Sequence, residues 1–470
     1  MINQNTKKPY VKCIGESAHN VTQSCYLVRF KKYAILLDCG LYQESDIKTN
    51  YDKNYNLLKK IKPRNIDFII LSHIHVDHTG MVPALYAKGC QAHLYVPFGS
   101  KMLLKLLWED SLKIMQQDCT KLQKAGYKIS PFYSQDDIDK ALDRVIEVGY
   151  SNIKSSPVVE YLTEDIFYSY YPAGHIIYSC QIYLNCIDGN IYHKLGYTGD
   201  IGGNFNQTLY CDARITMPFV HLLLGENTYN QEKRPNKIYD RDKDLQKIIA
   251  TILNSHRVLI PCFSLQRTQI ILYTLFNLWS QNKIPLDTKI ILDSPLAEKI
   301  CNIWPYQSFQ NIMNWNNLQI IQSWNESQQI QINSEKLIIL SASGFLAGGR
   351  VIEWLKNILP NNNNTILFCG YSGENNMASQ IRYGDQIINI NGVYVENNAN
   401  IIELVSYSSH ANFQELFDYY TNQCLYNKLA LVHGNNSYKT EFGDLIQNEL
   451  IIQGKSSRVI ITNIDTKIDF

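Results

Sequence analysis

Residues 73 to 78 carry three histidines and an aspartate: the run LSHIHVDHTG places His73, His75, Asp77 and His78 directly after the apolar segment Asp67 to Leu71. Imidazole nitrogen and carboxylate oxygen are the ligands that borderline divalent cations such as zinc prefer, and a pair of metals needs both kinds together. In an extended turn at a strand end, His73 and His75 would point the same way, while Asp77 and His78 fall into the next bend and face a second position. The spacing therefore predicts two ions. Of the 11 histidines, six (His73, His75, His78, His175, His410 and His433) sit at the ends of β-like runs beside Gly, Ser or Asp. A strand end is where a rigid sheet presents a side chain to an open site. Asp38 in ILLDCGL and Asp200 in YTGDIGG close similar runs. Either aspartate alone would read as a turn residue; the whole set reads as a site.

The elements that must position these residues follow from periodicity. Through the first two hundred residues, short β-rich runs alternate with turn signals: VTQSCYLVRF, YAILLDCG, DFIILSHIH, AHLYVPF, DIFYSYYPAGH, QIYLNCI and KLGYTGDIG. This predicts strands with helices between, one after Pro83 and a long one from Gly99 to about Gly126. The pattern then becomes helix–strand–helix, with KDLQKIIATIL, RVLIPCF, RTQIILYTLFNLW, KIILDS, KLIILSAS, RVIEWLKNIL and TILFCGY, which is α/β periodicity with buried parallel-type strands. The last seventy residues return to short strands around IIELVSYSSH, LALVHG and SRVIITN. A domain nested between two halves of another fits this order, with bounds 1–231, 232–397 and 398–470.

Composition narrows the class without fixing the function. At 470 residues the chain exceeds the size at which one core keeps growing, so two domains are expected. Hydrophobic residues at 45% and charged residues at 19% exclude a disordered or fibrous chain. Lys+Arg 44 against Asp+Glu 43 leaves a net charge of +1, so any nucleic-acid affinity must come from a local basic patch or a metal site. The twelve cysteines lack CxxC spacing and read as reduced core residues, which points to the cytoplasm. The start MINQNTKKPYVKCIG has no apolar signal core, and no run is long and apolar enough to span a membrane.

Taken together, the motifs resemble those of the β-CASP family of metallo-β-lactamase-fold RNA-processing nucleases, in family order over nearly the whole chain. GESAHNVTQSCYLV resembles the opening strand pair, ILLDCGLYQ the first motif, and LSHIHVDHTG the HxHxDH signature. AGHIIYS and YTGDIG match the third and fourth motifs. GENTYN with Glu226, PCFSLQRTQ, DSPLA, SASGFLAGGR, SYSSH and LVHG complete the series. The resemblance implies an αββα metallo-β-lactamase sandwich with an inserted α/β β-CASP domain. It also implies that His73, His75 and His175 hold one zinc, that Asp77, His78 and His433 hold the other, and that Asp200 bridges them. Asp38 would orient a ligand imidazole. A histidine at position 433 is what the RNA-acting branch is expected to carry, where the DNA-acting branch has an apolar residue.

The implied chemistry is two-metal hydrolysis of single-stranded RNA, bound in the cleft between the two domains, by an endoribonuclease that leaves 3′-hydroxyl and 5′-phosphate ends. Paired divalent ions lower the pKa of water and neutralise charge on the phosphate oxygens. Zinc fits the ligands, and manganese or iron also suits a His/Asp pair. His410, held by Glu226, is the candidate general acid or phosphate contact. In the nested domain Arg267 and Arg350 are candidate phosphate contacts or, equally, structural ion-pair partners, with Ser343 and Gly349 of SASGFLAGGR beside them. Exposed members of the 32 tyrosines would stack unpaired bases.

Departures from the family pattern fall near the substrate: QRTQI in place of GRTQE, with Gln266 and Ile270; HGN in place of HGE, with Asn435; and GYSGENNMASQ, residues 370–380, where a basic residue is expected at Ser379. Altered specificity is the expectation. The chain also ends soon after His433 and has little before Gly15, so substrate selection is expected to rest on the core, on a homodimer or on RNA-processing partner proteins. A 5′-to-3′ exoribonuclease and a non-catalytic scaffold are the competing readings. All seven ligands argue against the scaffold, and the nested domain argues against a small-molecule hydrolase.

Overall fold

The computed structural model describes residues 8–44, 46–150, 158–203, 211–231, 240–344, 346, 348–370 and 377–470. The chain divides into two compact units, residues 1–235 with 409–470, and residues 236–408.

In the first unit the alternating apolar runs fold as β1 (Tyr10–Cys13), β2 (Tyr26–Phe30), β3 (Tyr33–Leu37), β4 (Phe68–Ile70), β5 (His93–Pro97) and β6 (Val145–Val148). They are followed by β7 (Glu160–Thr163), β8 (Ile166–Pro172), β9 (Cys180–Asp188), β10 (Ile191–Tyr197) and β11 (Val220–Glu226). The second unit supplies β12 (Arg257–Pro261), β13 (Ile290–Asp293), β14 (Leu318–Ile320), β15 (Leu337–Ser341), β16 (Thr365–Cys369), β17 (Ile387–Ile390), β18 (Val393–Glu396) and β19 (Asn400–Leu404). The chain then returns to the first unit with β20 (Tyr426–Val432), β21 (Arg458–Ile461) and β22 (Lys467–Asp469).

Two seven-stranded sheets, in the orders β22-β1-β2-β3-β4-β5-β6 and β21-β20-β11-β10-β9-β8-β7, form the first unit. Val28, Ile35, Leu37 and Ile70 of one sheet and Tyr168, Ile182, Leu184, Leu195 and Leu222 of the other share one buried core, so the sheets pack face to face. The outer face of the second sheet, through Leu223, Leu429 and Leu431, packs on Leu416, Phe442 and Ile446 of the helices Phe413–Asp418 and Asn436–Ile452. This is the expected αββα sandwich. The register sets the site: β3 and β4 are parallel, as are β10, β11 and β20. Their carboxyl ends therefore open at one edge and deliver Asp38, Ser72, Asp200, Glu226 and His433 there. The turn from β8 to β9 brings His175 to the same edge, because β9 runs antiparallel to both of its neighbours.

The second unit is a parallel sheet in the order β14-β13-β15-β12-β16-β19. Its strands RVLIP, LIILS and TILFC are buried at every position, which explains their unbroken apolar runs. One sequence expectation is corrected here. Residues 400–404 of IIELVSYSSH pair with β16, from Thr365↔Asn400 to Cys369↔Leu404, so they belong to the second unit and its end falls at 408 and not at 397. A short edge strand carries no signal of which sheet it joins. The first boundary falls within 232–239, outside the described residues.

Candidate metal centre

Five imidazoles and two carboxylates meet at the strand-end edge. His73 Nε2 and His175 Nε2 each lie 3.1 Å from His75 Nδ1. Oδ2 of Asp200 lies 3.7 Å from His73 Nε2 and 3.6 Å from His175 Nε2. Its other oxygen, Oδ1, turns to a second group, 3.2 Å from His78 Nε2 and 3.3 Å from His433 Nδ1. Asp77 Oδ2 closes that group at 3.3 Å from His433 Nε2 and 3.6 Å from His78 Nε2. Within each set, His73–His75–His175–Asp200 and Asp77–His78–Asp200–His433, the possible ligand atoms all lie within 4.8 Å of one another.

The local backbone is built for this. His75 caps a short helix, Val76–Thr79, which turns Asp77 and His78 away from His73. Gly40 lets the loop after β3 lie against that helix, since a Cβ there would come within 1.6 Å of the Asp77 carbonyl. Asp38 and His433 both adopt left-handed backbone, at φ 56° and 52°, a conformation that non-glycine residues adopt at a cost and that clusters at functional sites.

Hydrogen bonds behind the cluster decide which ring nitrogen carries a proton. His175 Nδ1–H donates to the Ser409 carbonyl at 3.1 Å, which leaves Nε2 with its lone pair facing the site. His78 Nδ1 lies 2.7 Å from Asp38 Oδ2. Ser72 Oγ donates to that same oxygen at 2.7 Å and accepts from His73 Nδ1 at 3.1 Å, so the bare nitrogen of His73 is also Nε2. Burial holds His73 and His175 well below the usual imidazole range and His75 down to about 4, so all three are neutral at neutral pH, the form that can ligate a metal. His78 behaves oppositely: burial opposes its charge, but the carboxylates of Asp200 and Asp77 outweigh burial and raise it. Asp200 Oδ1 is buried and accepts no hydrogen bond. Convergent lone pairs together with an unsatisfied buried carboxylate oxygen are what a divalent cation would relieve, so the residues present fit the metals that the motifs imply.

A third cluster adjoins the first two. Glu226 is 0% exposed; its Oε1 accepts from the Ile201 backbone N–H at 2.7 Å and lies 3.2 Å from His410 Nδ1. His410 Nε2 faces Asp200 Oδ2 at 4.0 Å. Burial pulls the His410 imidazolium down, but Glu226, then Asp200 and Asp77, more than offset this and raise it.

Sequence reading missed the residues that hold the cluster from behind. Besides Ser72 and Ser409, Tyr197 donates to Asp38 Oδ2 at 2.7 Å, and Thr228 Oγ1 lies 3.0 Å from His433 Nδ1. Thr228 lies within GENTYN and Tyr197 directly before TGD, so adjacency to a motif was the available signal.

The candidates in the second unit take structural positions. Arg350 Nη1 donates to Asp293 Oδ1 at 2.7 Å and to the Ile321 carbonyl at 3.2 Å, as the ion-pair alternative expects. Arg267 is 5% exposed, with Nη1 donating to the Cys369 carbonyl at 2.6 Å. Gly349 has φ 85°, and a Cβ there would meet the Ala342 carbonyl at 3.0 Å, which is a turn requirement. Ser343 follows directly after that alanine. Among the altered positions, Gln266, Ile270 and Ser379 are buried, and Asn435 caps the helix Asn436–Ile452 by accepting from the Ser437 N–H. Residues 371–376 of the altered loop lie outside the described residues.

Comparison with known proteins places this geometry. A family model described as the metallo-beta-lactamase superfamily matches residues 20–158, and one described as the Beta-Casp domain matches residues 268–381. Ribonuclease TTHA0252 of Thermus thermophilus is 26% identical over 92% of this chain and 94% of its own length. The RNase J-like protein of Methanocaldococcus jannaschii is likewise 26% identical, over 92% of this chain and 94% of its own. Endoribonuclease YSH1 of Candida albicans is 24% identical over 89% of this chain, which spans 48% of that protein. A crystal structure of a protein of unknown function from Enterococcus faecalis superposes with a TM-score of 0.54 at 12% identity, covering 99% of this chain and 100% of that one.

Proposed function

We propose, given that the chain belongs to the β-CASP family of metallo-β-lactamase-fold nucleases, that it is a zinc-dependent endoribonuclease for single-stranded RNA, leaving 3′-hydroxyl and 5′-phosphate ends. One observation carries this reading: Asp200 divides its two oxygens between two His/Asp groups, each with the donor set of a divalent metal site. Relatives named as ribonuclease and endoribonuclease supply the substrate class.

His73, His75 and His175 would hold one ion, Asp77, His78 and His433 the other, and Asp200 both. A bound divalent pair supplies Lewis acidity and a lowered pKa for water. The remaining work falls to side chains. Asp38, Ser72 and Ser409 fix the ring orientations, so that the ligand nitrogens do not reorganise during turnover. His410, kept protonated by Glu226, donates its proton to the departing 3′-oxygen of the RNA. The buried, preorganised carboxylates and imidazoles make each charge interaction stronger than it would be in water.

We place the protein in the cytoplasm. All twelve cysteines are free and buried, as a reducing compartment allows. Among the described residues no helix is long and apolar enough to cross a membrane.

The test is cleavage of 5′-labelled single-stranded RNA by wild type and Asp200→Ala, with and without chelator, reading product lengths and end groups. Internal products with 5′-phosphate ends, lost in the variant and in chelator, support the proposal. Mononucleotides would replace it with a 5′-to-3′ exoribonuclease. Bound metal with no cleavage of free RNA would overturn it in favour of a scaffold or a partner-dependent enzyme.

A further inference from the structure

The helix Ile47–Ile61 of the first unit carries Tyr51, half-buried, and Tyr55, which with Phe132 of a separate segment form a row of aromatic rings that the metal centre does not use. Phe132 and Tyr51 lie with centroids 4.7 Å apart and planes within 25°, and Tyr55 continues the row 6.4 Å from Tyr51 at 15°. Tyr55 is 46% exposed and the neighbouring Tyr127 is 44% exposed. Lysines attend the exposed rings: Lys59 Nζ sits 4.3 Å from the centre of Tyr55, and Lys48 Nζ sits 5.2 Å from that of Tyr127. Exposed Lys124 and Lys128 flank Tyr127 in sequence. The facing carboxylates are Asp46, which caps the helix, and Asp52, whose oxygens bind Lys48.

Large aromatic rings left near-parallel, partly exposed and interleaved with cations are uncommon on a surface whose only task is solubility, and the core of this helix lies elsewhere, on Leu57, Leu58 and Ile61. Every base has a π-face, so stacked rings bind unpaired nucleotides with little sequence preference, while lysines track the backbone. We propose that this face is a second contact surface for single-stranded RNA, one that holds a flanking stretch of substrate away from the cutting site. At 1.5 Å per residue the helix is about 22 Å long, enough for a few extended nucleotides. The helix begins in the loop that follows Asp38, so its first turn lies toward the metal-bearing end of the sheet. The proposal rests on RNA being the substrate.

Binding of fluorescein-labelled single-stranded RNA by the full chain in chelator would be measured by anisotropy for a hexamer and for a 25-mer, alongside cleavage of both with metal. Tyr55→Ala with Lys59→Ala should weaken 25-mer binding by about tenfold, the scale of one lost base–aromatic contact. Hexamer cleavage should stay unchanged, and Tyr55→Phe, which keeps the ring, should behave as wild type. Equal 25-mer affinity in the double variant would overturn the proposal, as would an equal loss for both RNA lengths with a lowered melting temperature, which would mark the rings as packing alone. If the wild type neither binds nor cuts RNA, the functional reading itself fails; if it cuts both RNAs and the double variant binds normally, only this inference fails.

Discussion

Asp38 and His78 meet at 2.7 Å, both 0% exposed, through a carboxylate oxygen that also receives the hydroxyls of Ser72 and Tyr197. Three donors on one oxygen leave the aspartate no rotational freedom, so the imidazole of His78 is held with Nε2 toward Asp77 and Asp200. Asp38→Ala should therefore lower metal affinity by about 10–100-fold with the ligands intact. Titration of stripped protein with zinc by calorimetry checks this, and wild-type affinity in the variant would refute the orienting role.

His410 differs from the other site histidines in its carboxylate partner, Glu226, which is buried at 0% exposure. His410→Ala should reduce kcat by about 10²–10⁴-fold, the usual worth of a positioned acid, while metal content stays as in wild type. Loss of metal together with rate would make it a ligand and not a proton donor.

Metals that bind the folded state alone also stabilise it. At a thousandfold excess over the dissociation constant the gain is about 4 kcal/mol, so chelation should lower the melting temperature of the wild type and leave that of Asp200→Ala almost unchanged. Scanning calorimetry of both proteins with zinc and with chelator reads the difference.

Lys439 is 0% exposed, and its ammonium donates to the Ala18 carbonyl in the turn that also receives His433 N–H at Ser17. Burial pushes it down to about 8, with Cys13 acting weakly the other way. Between that value and about 10.4, the usual lysine value, the unfolded chain binds the proton and the folded chain does not, so stability should rise with pH across this window, by at most about 3 kcal/mol. Below pH 8 both states are protonated and the dependence vanishes. Urea denaturation at pH 7 and pH 9.5 should show about 2 kcal/mol of this rise in wild type and its absence in Lys439→Met.

Arg350 and Asp293 form a pair in which the aspartate is fully buried and also accepts from Trp354 Nε1 at 2.8 Å and from Ser327 at 2.5 Å. Arg350→Ala leaves that carboxylate without its cation and should cost about 3–5 kcal/mol. Loss of RNA affinity at unchanged stability would instead restore the phosphate-contact role.

The sequence by itself determined which side chains could ligate a metal and the class of their scaffold. Ligand identity resides in side-chain type, and HIHVDH packs three imidazoles and a carboxylate into six positions whatever the chain does around them. Period-two runs followed by buried apolar runs were enough to separate the sandwich from the nested α/β unit, because burial on one face or on two leaves different patterns. Only the tertiary structure decided how the groups are shared. The division of Asp200 between two clusters, the hydroxyl of Tyr197 on Asp38 from 159 residues away, and the pairing of Arg350 with Asp293 each join segments distant in the chain. The same holds for β19, whose few half-buried residues fit either sheet until its hydrogen bonds to β16 fix it. A polar residue's partner is set by which strand ends converge at one edge, and periodicity carries no information about that convergence.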